Sequence, residues 1–301
     1  MRSIITWLKA ARASFFTTSF VSILLGTSIA FSETGHIAWI RALLALGGVA
    51  ACHAGSNLVN DYYDHLSTND DINEYRSPFN GGSGCIQEGI VAPLSMRNAG
   101  LLCYFISIVF GIILSSLLNI WGLLLVLLGI AFGFSYSRFP GLSYYGLGEL
   151  MVGISFGPLI VASVYYAQMG YISHLAVVAS LPIGLLVAAV VYINQFPDYE
   201  ADKGANKKNL VVRLGRRRAL PYYYLLLGTA YLIIFLGVLY RILPPIAIIV
   251  FLTLPFAVAA AYWAAKWYEK PKQILPANAC TVAIHVVVGI LLIAAFTWNA
   301  F

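Results

Sequence analysis

Apolar runs of bilayer-crossing length alternate along the chain with short polar breaks. A membrane-spanning helix needs about 20 consecutive apolar residues. Reading the runs with their breakers predicts nine spans, at 15–31, 37–60, 96–118, 121–137, 147–169, 174–195, 220–240, 245–266 and 279–299. The fourth is short, and the eighth opens behind Pro244-Pro245. The first follows Arg2, Lys9 and Arg12 in the manner of a signal peptide, but its apolar stretch is too long for the core of one. The expectation is an all-α integral membrane protein forming one domain over residues 1–301.

Composition agrees. The 301 residues are 60% hydrophobic and 10% charged, against about 45–50% and about 25% in soluble globular domains, and mean hydropathy is +0.82. These values exclude a soluble enzyme with one buried core, a disordered chain, a nucleic-acid reader and a disulfide scaffold. The net charge of +6 comes from 18 Lys and Arg against 12 Asp and Glu. Placing the predicted loops alternately on two sides puts all of these bases but Arg41 and Arg241 on one side. That side, which includes Arg2, is cytoplasmic by the positive-inside rule, so the C-terminus lies outside and the cell's inner membrane is the partner surface. Cys52, Cys85, Cys103 and Cys280 show no C-x-x-C spacing and read as small apolar residues, with no disulfide or zinc implied.

The two longest cytoplasmic loops, about 61–95 and 196–219, hold most of the acids. The second span ends in Asn57-Leu-Val-Asn60-Asp61-Tyr-Tyr-Asp64-His-Leu-Ser-Thr-Asn69-Asp70-Asp71, and the sixth in Asn194-Gln-Phe-Pro-Asp198-Tyr-Glu200-Ala-Asp202. Asn60/Asp64 and Asn194/Asp198 share an i, i+4 spacing, which puts both oxygens on one helix face. The clusters sit four spans apart, as in a weak internal repeat. Clustered Asp side chains repel one another unless a cation sits among them, and oxygen-only sets suit Mg²⁺ with water and substrate phosphate. Two such ends facing each other would bind two Mg²⁺ ions with a diphosphate between them. Arg76, Lys207, Lys208 and Arg213 lie in the same loops to neutralise the remaining phosphate charge.

Other polar residues read more plainly. Asp71, Glu74 and Glu88 are solvated loop residues, and Arg216-Arg217-Arg218 anchors the seventh span. An EF-hand fails on its Gly and Glu offsets. Asn80-Gly-Gly-Ser-Gly84 is either a plain loop or a turn offering N–H groups to phosphate, and it lacks the Gly-Lys-Ser/Thr of a P-loop. His53 and His285 are isolated within spans and read as hydrogen-bonded core histidines. Glu149 opens the fifth span, either facing a cavity or packed away. A cation-coupled transporter is the alternative of another class, but transporters place ion sites near the midplane, and these acids lie at the cytoplasmic ends.

At these residues the chain resembles the UbiA superfamily of membrane prenyltransferases, nearly end to end. Asn60-Asp-x-x-Asp64 with a further acid at Asp70 has the spacing of the 1,4-dihydroxy-2-naphthoate branch. Gly146-Leu-Gly-Glu149, Phe156-Gly-Pro158, Tyr165-Tyr166 and Lys207-Lys-Asn-Leu-Val-Val-Arg213-Leu-Gly215 are similar to that branch too. Asn194-Gln195-Phe196-Pro197 stands where naphthoate members commonly carry Asn-Asn-x-Arg, and Asn206 replaces a common Gly.

The resemblance implies nine transmembrane helices around a central cavity open to lipid. It also implies Mg²⁺ held by Asn60, Asp64, Asp198 and Asp202 with Asp70, and transfer of a polyprenyl group from its diphosphate to an aromatic acceptor. Naphthoate, with loss of CO₂, is the expected acceptor; 4-hydroxybenzoate or another quinone or lipid precursor is the alternative. Asp64, Asp198 and Asp202 are the expected catalytic residues. Asn57, Arg76, Lys207, Lys208 and Arg213 are expected to bind diphosphate, and Asp61, Tyr63, Glu149 and Asn194 to line the substrate cavity.

Overall fold

The computed structural model describes residues 4–138 and 141–299; Arg2, counted above among the cytoplasmic bases, lies outside them. Every predicted span folds as helix. Eight helices are long and apolar enough to cross a membrane: Ala13–Thr34, Trp39–Leu66, Pro93–Leu117, Gly148–Met169, His174–Gly204, Arg216–Leu239, Pro245–Trp267 and Leu275–Trp298. The predicted fourth span forms the apolar helix Trp121–Ser137, of 17 residues. At 1.5 Å per residue it reaches about 25 Å, short of a hydrocarbon core of about 30 Å. The chain is a multi-pass, all-helical membrane protein with eight full-length spans and one shorter apolar helix among the described residues.

In chain order the helices are α1 (Ile4–Ala10), α2 (Phe16–Thr34), α3 (Trp39–Leu66), α4 (Pro93–Leu117), α5 (Trp121–Ser137), α6 (Gly148–Ile154), α7 (Ile160–Met169) and α8 (His174–Gly204). They continue with α9 (Leu210–Leu214), α10 (Arg216–Leu239), α11 (Leu254–Trp267) and α12 (Leu275–Trp298). Local chemistry sets several ends. Pro93 opens α4, where its missing N–H costs nothing. Ser173 caps α8 by accepting the Ala176 N–H at 3.1 Å. Gly170 closes α7 at φ +80°.

On α4 small residues take several of the buried positions, and large apolar ones take most of the exposed positions. Gly100, Tyr104, Ser107 and Gly111 are buried there, while Leu101, Leu102, Phe105 and Ile112 are exposed. Such a face would be unusual on a soluble protein. Close approach needs glycine where α6 and α7 meet α8: a Cβ on Gly157 would lie 2.6 Å from the Gly184 Cα. Here Ser155–Leu159 forms a π turn between α6 and α7, and Pro158 within it has no N–H for an ordinary helical bond.

Two helices outrun their sequence boundaries. The expected breaks fall at Asn60 and Gln195, yet α3 continues to Leu66 and α8 passes through Pro197 to Gly204. Phe196 is 1% exposed, so packing holds α8 together across the bond that Pro197 removes. Asp61, Asp64, Asp198 and Asp202 lie beyond the predicted span limits yet sit on the helix ends that their i, i+4 spacing implied.

Candidate active site

The two acidic helix ends are built alike. After α3 the chain turns at Thr68 (φ +61°), and after α8 it turns at Asn206 (φ +56°). The Asn69 N–H donates back to the Asp64 carbonyl at 2.9 Å, and the Lys207 N–H donates to the Asp202 carbonyl at 2.7 Å. Both are six-to-one closures of a helix end around one left-handed residue, a conformation costly for threonine. The geometry shifts the register of the internal repeat. Asn60/Asp64 corresponds to Asp198/Asp202, one turn beyond the Asn194/Asp198 pairing read from sequence.

Each turn throws a side chain across to the other helix. Asn69 Nδ2 donates to Asp202 Oδ1 at 2.9 Å, and Lys207 Nζ lies 3.1 Å from Asp64 Oδ2 and 3.9 Å from Asp202 Oδ1. Asn60 Nδ2 donates to the same Asp64 oxygen at 3.1 Å. Asn209 donates to Asp202 Oδ2 at 2.6 Å, and Asp198 Oδ1 accepts from Asn73 at 2.6 Å and from Asn80. Tyr144 OH is 3.4 Å from Asp64 Oδ1. Asp70, 4% exposed, accepts no side-chain hydrogen bond on its carboxylate among the described residues. Burial and the neighbouring Asp64 charge push its pKa up to about 7. Burial works against the Lys207 charge, but Asp64 and Asp202 outweigh it and raise its pKa well above the usual lysine value.

Arg12 completes the wall and was missed as a site residue, because one base among many near a first span signals only topology. It sits in the left-handed region at φ +54° between α1 and α2. Its Nη2 donates to Asn60 Oδ1 at 3.1 Å and pairs with Asp61. Burial opposes its charge, yet Asp61 and Asp70 raise its pKa. Asn69, Asn73, Asn80, Asn209 and Tyr144 were missed too. Amides and a phenol in loops carry no spacing signal until the turns aim them.

Together these groups close the polar end of a cavity of about 310 Å³. Arg12, Asn57, Asn60, Asp64, Asn69, Asp70, Asn194, Asp198, Asp202 and Lys207 line it, and Ser77 to Gly82 fold over it. From there it runs into apolar wall formed by side chains such as Leu125, Phe132, Val152, Phe156, Leu159, Val187 and Val190. A carboxylate-lined mouth leading into an apolar tube suits a ligand with an anionic head, a bridging cation and a hydrocarbon tail.

Several expected residues do not reach this wall. Arg76 Nε is spent on the Gly81 carbonyl at 2.7 Å, inside its own loop. Lys208 and Arg213 are exposed, with Arg213 Nε donating to the Lys208 carbonyl at 2.7 Å. Asp61 stands behind the cavity, held by Arg12 and by the Ser83 N–H at 3.2 Å. Tyr63 packs against Phe134 with Arg138 over its ring. Glu149 is buried behind Gln195, which donates to it. Asn57 does line the cavity, although its Nδ2 donates to the Ala11 carbonyl at 2.8 Å. Asn194 lines it as well and accepts from Asn278 at 2.7 Å.

The donor set fits Mg²⁺. Among the lining residues, four carboxylates (Asp64, Asp70, Asp198 and Asp202) face two cations, Arg12 and Lys207. The surplus of negative charge, with Asp70 held partly protonated, is the condition a divalent cation relieves. Among the described residues no three His, Cys, Asp or Glu side chains form a ready-made metal cage. Mg²⁺ needs none, since it is held by one or two carboxylates together with water and substrate phosphate.

Known proteins resemble this chain in sequence and in fold. The chain is 29% identical over 97% of its length to 93% of the 2-carboxy-1,4-naphthoquinone phytyltransferase of Synechocystis. It is 28% identical over 96% of its length to 90% of the 1,4-dihydroxy-2-naphthoate octaprenyltransferase of Bacillus subtilis. Its fold matches a UbiA homolog from Archaeoglobus fulgidus, solved with GPP and Mg²⁺, at a TM-score of 0.65 and 18% identity, covering 96% of this chain and 99% of that one. The sequence profile of the UbiA prenyltransferase family matches residues 19–278. Built around two crossed acidic helix ends at the mouth of an apolar cavity, this chain belongs to the UbiA prenyltransferase family and is a membrane prenyltransferase.

Proposed function

We propose that the protein transfers a polyprenyl group from polyprenyl diphosphate to 1,4-dihydroxy-2-naphthoate, releasing diphosphate and CO₂, a step of menaquinone formation. The observation that carries this reading is the crossing of the two helix ends, Asn69 to Asp202 and Lys207 to Asp64, over one cavity with an apolar interior. The naphthoate acceptor rests on the Asp70 spacing and on the names borne by the two full-length relatives.

Asn60, Asp64, Asp70, Asp198 and Asp202 would hold Mg²⁺, which when bound neutralises charge developing on the departing diphosphate. Lys207 and Arg12, half-buried beside these acids, add fixed positive charge at the same place. The apolar interior takes the prenyl chain and excludes water from the allylic cation left when the C1–O bond breaks. Phe132 and Phe156, aromatic rings in the cavity lining, would stabilise that cation. The acceptor ring attacks C1 with a π pair, and its carboxylate leaves as CO₂, the electrons of the lost C–C bond returning to the ring to restore aromaticity. The active site and N-terminus face the cytoplasm and the C-terminus faces outward.

The deciding experiment incubates purified protein with Mg²⁺, one polyprenyl diphosphate and either 1,4-dihydroxy-2-naphthoate or 4-hydroxybenzoate, scoring product mass and CO₂. Prenylated, decarboxylated naphthoate is expected, abolished by a chelator and by Asp64→Ala or Asp202→Ala. A product from hydroxybenzoate alone overturns the acceptor, and full turnover in both variants overturns the site.

A further inference from the structure

Between the acidic mouth and the apolar interior the cavity wall carries an imidazole. His53 lies on α3 seven residues before Asn60, two helical turns and about 10 Å up the same wall. It is 8% exposed. Phe16 stacks on one face, with centroids 4.7 Å apart and planes at 21°, and Phe156 meets it edge-on at 4.9 Å. Nδ1 is 2.7 Å from the buried Ser19 hydroxyl. Nε2 has no protein partner among the described residues, yet it is not among the sealed unpartnered atoms. His285 provides the contrast: both its ring nitrogens are sealed without a partner, and it lines no part of this cavity. A histidine kept only for packing has no need of a clamped ring with its free nitrogen turned to open space.

We propose that His53 seats the aromatic acceptor, with Nε2 hydrogen-bonded to a ring hydroxyl and Ser19 as the positioning residue that fixes the imidazole. The inference rests on the prenyltransferase reading above and names which wall of the cavity the acceptor uses. His53 stands two helical turns along α3 from Asn60 on the wall of the same cavity, so a ring seated against it lies beside the donor's C1 end rather than on the acidic mouth. An acceptor seated there has a ring hydroxyl at Nε2 and, on that same ring, its reacting carbon toward the donor C1. Sharing the hydroxyl proton with a neutral imidazole raises electron density on the ring, which favours attack on an allylic cation. No bond to His53 forms or breaks: C1–O breaks, C–C1 forms, CO₂ departs, and the hydroxyl hydrogen stays with the acceptor.

The test compares wild type, His53→Ala, His53→Gln and Ser19→Ala, varying 1,4-dihydroxy-2-naphthoate and polyprenyl diphosphate in turn. In His53→Ala, kcat/KM for the acceptor falls about tenfold or more, the cost of one lost hydrogen bond in a buried site, while donor KM stays within twofold. His53→Gln, which keeps a hydrogen-bonding group, recovers part of the loss, and Ser19→Ala loses less than His53→Ala. Acceptor parameters within twofold of wild type, or equal losses for donor and acceptor with no rescue by Gln, overturn the inference. Wild-type turnover judges the parent reading separately. Should it be absent, binding of 1,4-dihydroxy-2-naphthoate to wild type and to His53→Ala without donor decides the role of His53: weaker binding in the variant supports it and equal binding ends it.

Discussion

Asn69 reaches across the cavity mouth to Asp202 at 2.9 Å, and Lys207, at the matching position of the other helix end, returns the contact to Asp64 at 3.1 Å. The exchange ties α3 to α8 through the groups that would hold substrate, so substrate binding and helix spacing are set by the same atoms.

That reciprocity predicts coupling. Lys207→Ala leaves Asp64 with Asn60 and Tyr144 as partners, and Asn69→Ala leaves Asp202 with Asn209 and, at 3.9 Å, Lys207. Each single variant should lower kcat/KM for the prenyl diphosphate, Lys207→Ala more because it removes a half-buried charge beside the anionic head. In a double-mutant cycle the two losses should be non-additive by about 0.5–3 kcal/mol, the range for residues in one network. Strict additivity would mean that the two crossings act independently.

Two glycines with the same backbone conformation should behave differently. Gly82 (φ +70°) and Gly89 (φ +67°) are both left-handed. A Cβ on Gly82 would lie 2.3 Å from Asp70 Oδ2, whereas one on Gly89 meets nothing within 4 Å. Gly89→Ala should cost only the conformational strain, about 1–2 kcal/mol, and keep activity. Gly82→Ala bears the same strain and also displaces the Asp70 carboxylate, so Mg²⁺-dependent turnover should collapse. Assays of both variants at matched folded fractions check this, and equal activities would refute it.

The raised pKa of Asp70 has a thermodynamic sign. With its carboxyl lifted to about 7 in the folded protein against 3.8 ordinarily, the folded state holds a proton that the unfolded chain has lost across that interval. Stability of the metal-free protein should therefore fall as pH rises from about 4 to about 7. Thermal unfolding in detergent with a chelator measures the slope, and Asp70→Asn should reduce it. A slope unchanged in that variant would place the effect elsewhere.

Much was legible along the chain. Apolar runs located every membrane helix, because lipid demands that each crossing segment satisfy its own backbone and present a hydrocarbon face. Clustered acids pointed to the candidate site, because carboxylates beside a membrane are expensive without a cation. Arg76, Lys208 and Arg213 were drawn in by the same logic, and the folded loops turn them away. A count of charges in a loop says nothing about their direction.

What the sequence by itself determined was where the apolar helices run and which two corners bear charge, since both follow from the local cost of placing residues in lipid, while the predicted fourth span came out as the shorter helix Trp121–Ser137. What only the tertiary structure decided was direction. Left-handed turns at Thr68 and Asn206 aim Asn69 and Lys207 across the mouth, an elbow at Arg12 brings a topology charge into the wall, and packing on Phe16 and Ser19 leaves Nε2 of His53 without a protein partner among the described residues. Direction depends on the meeting of segments far apart in the chain, and no local pattern encodes it.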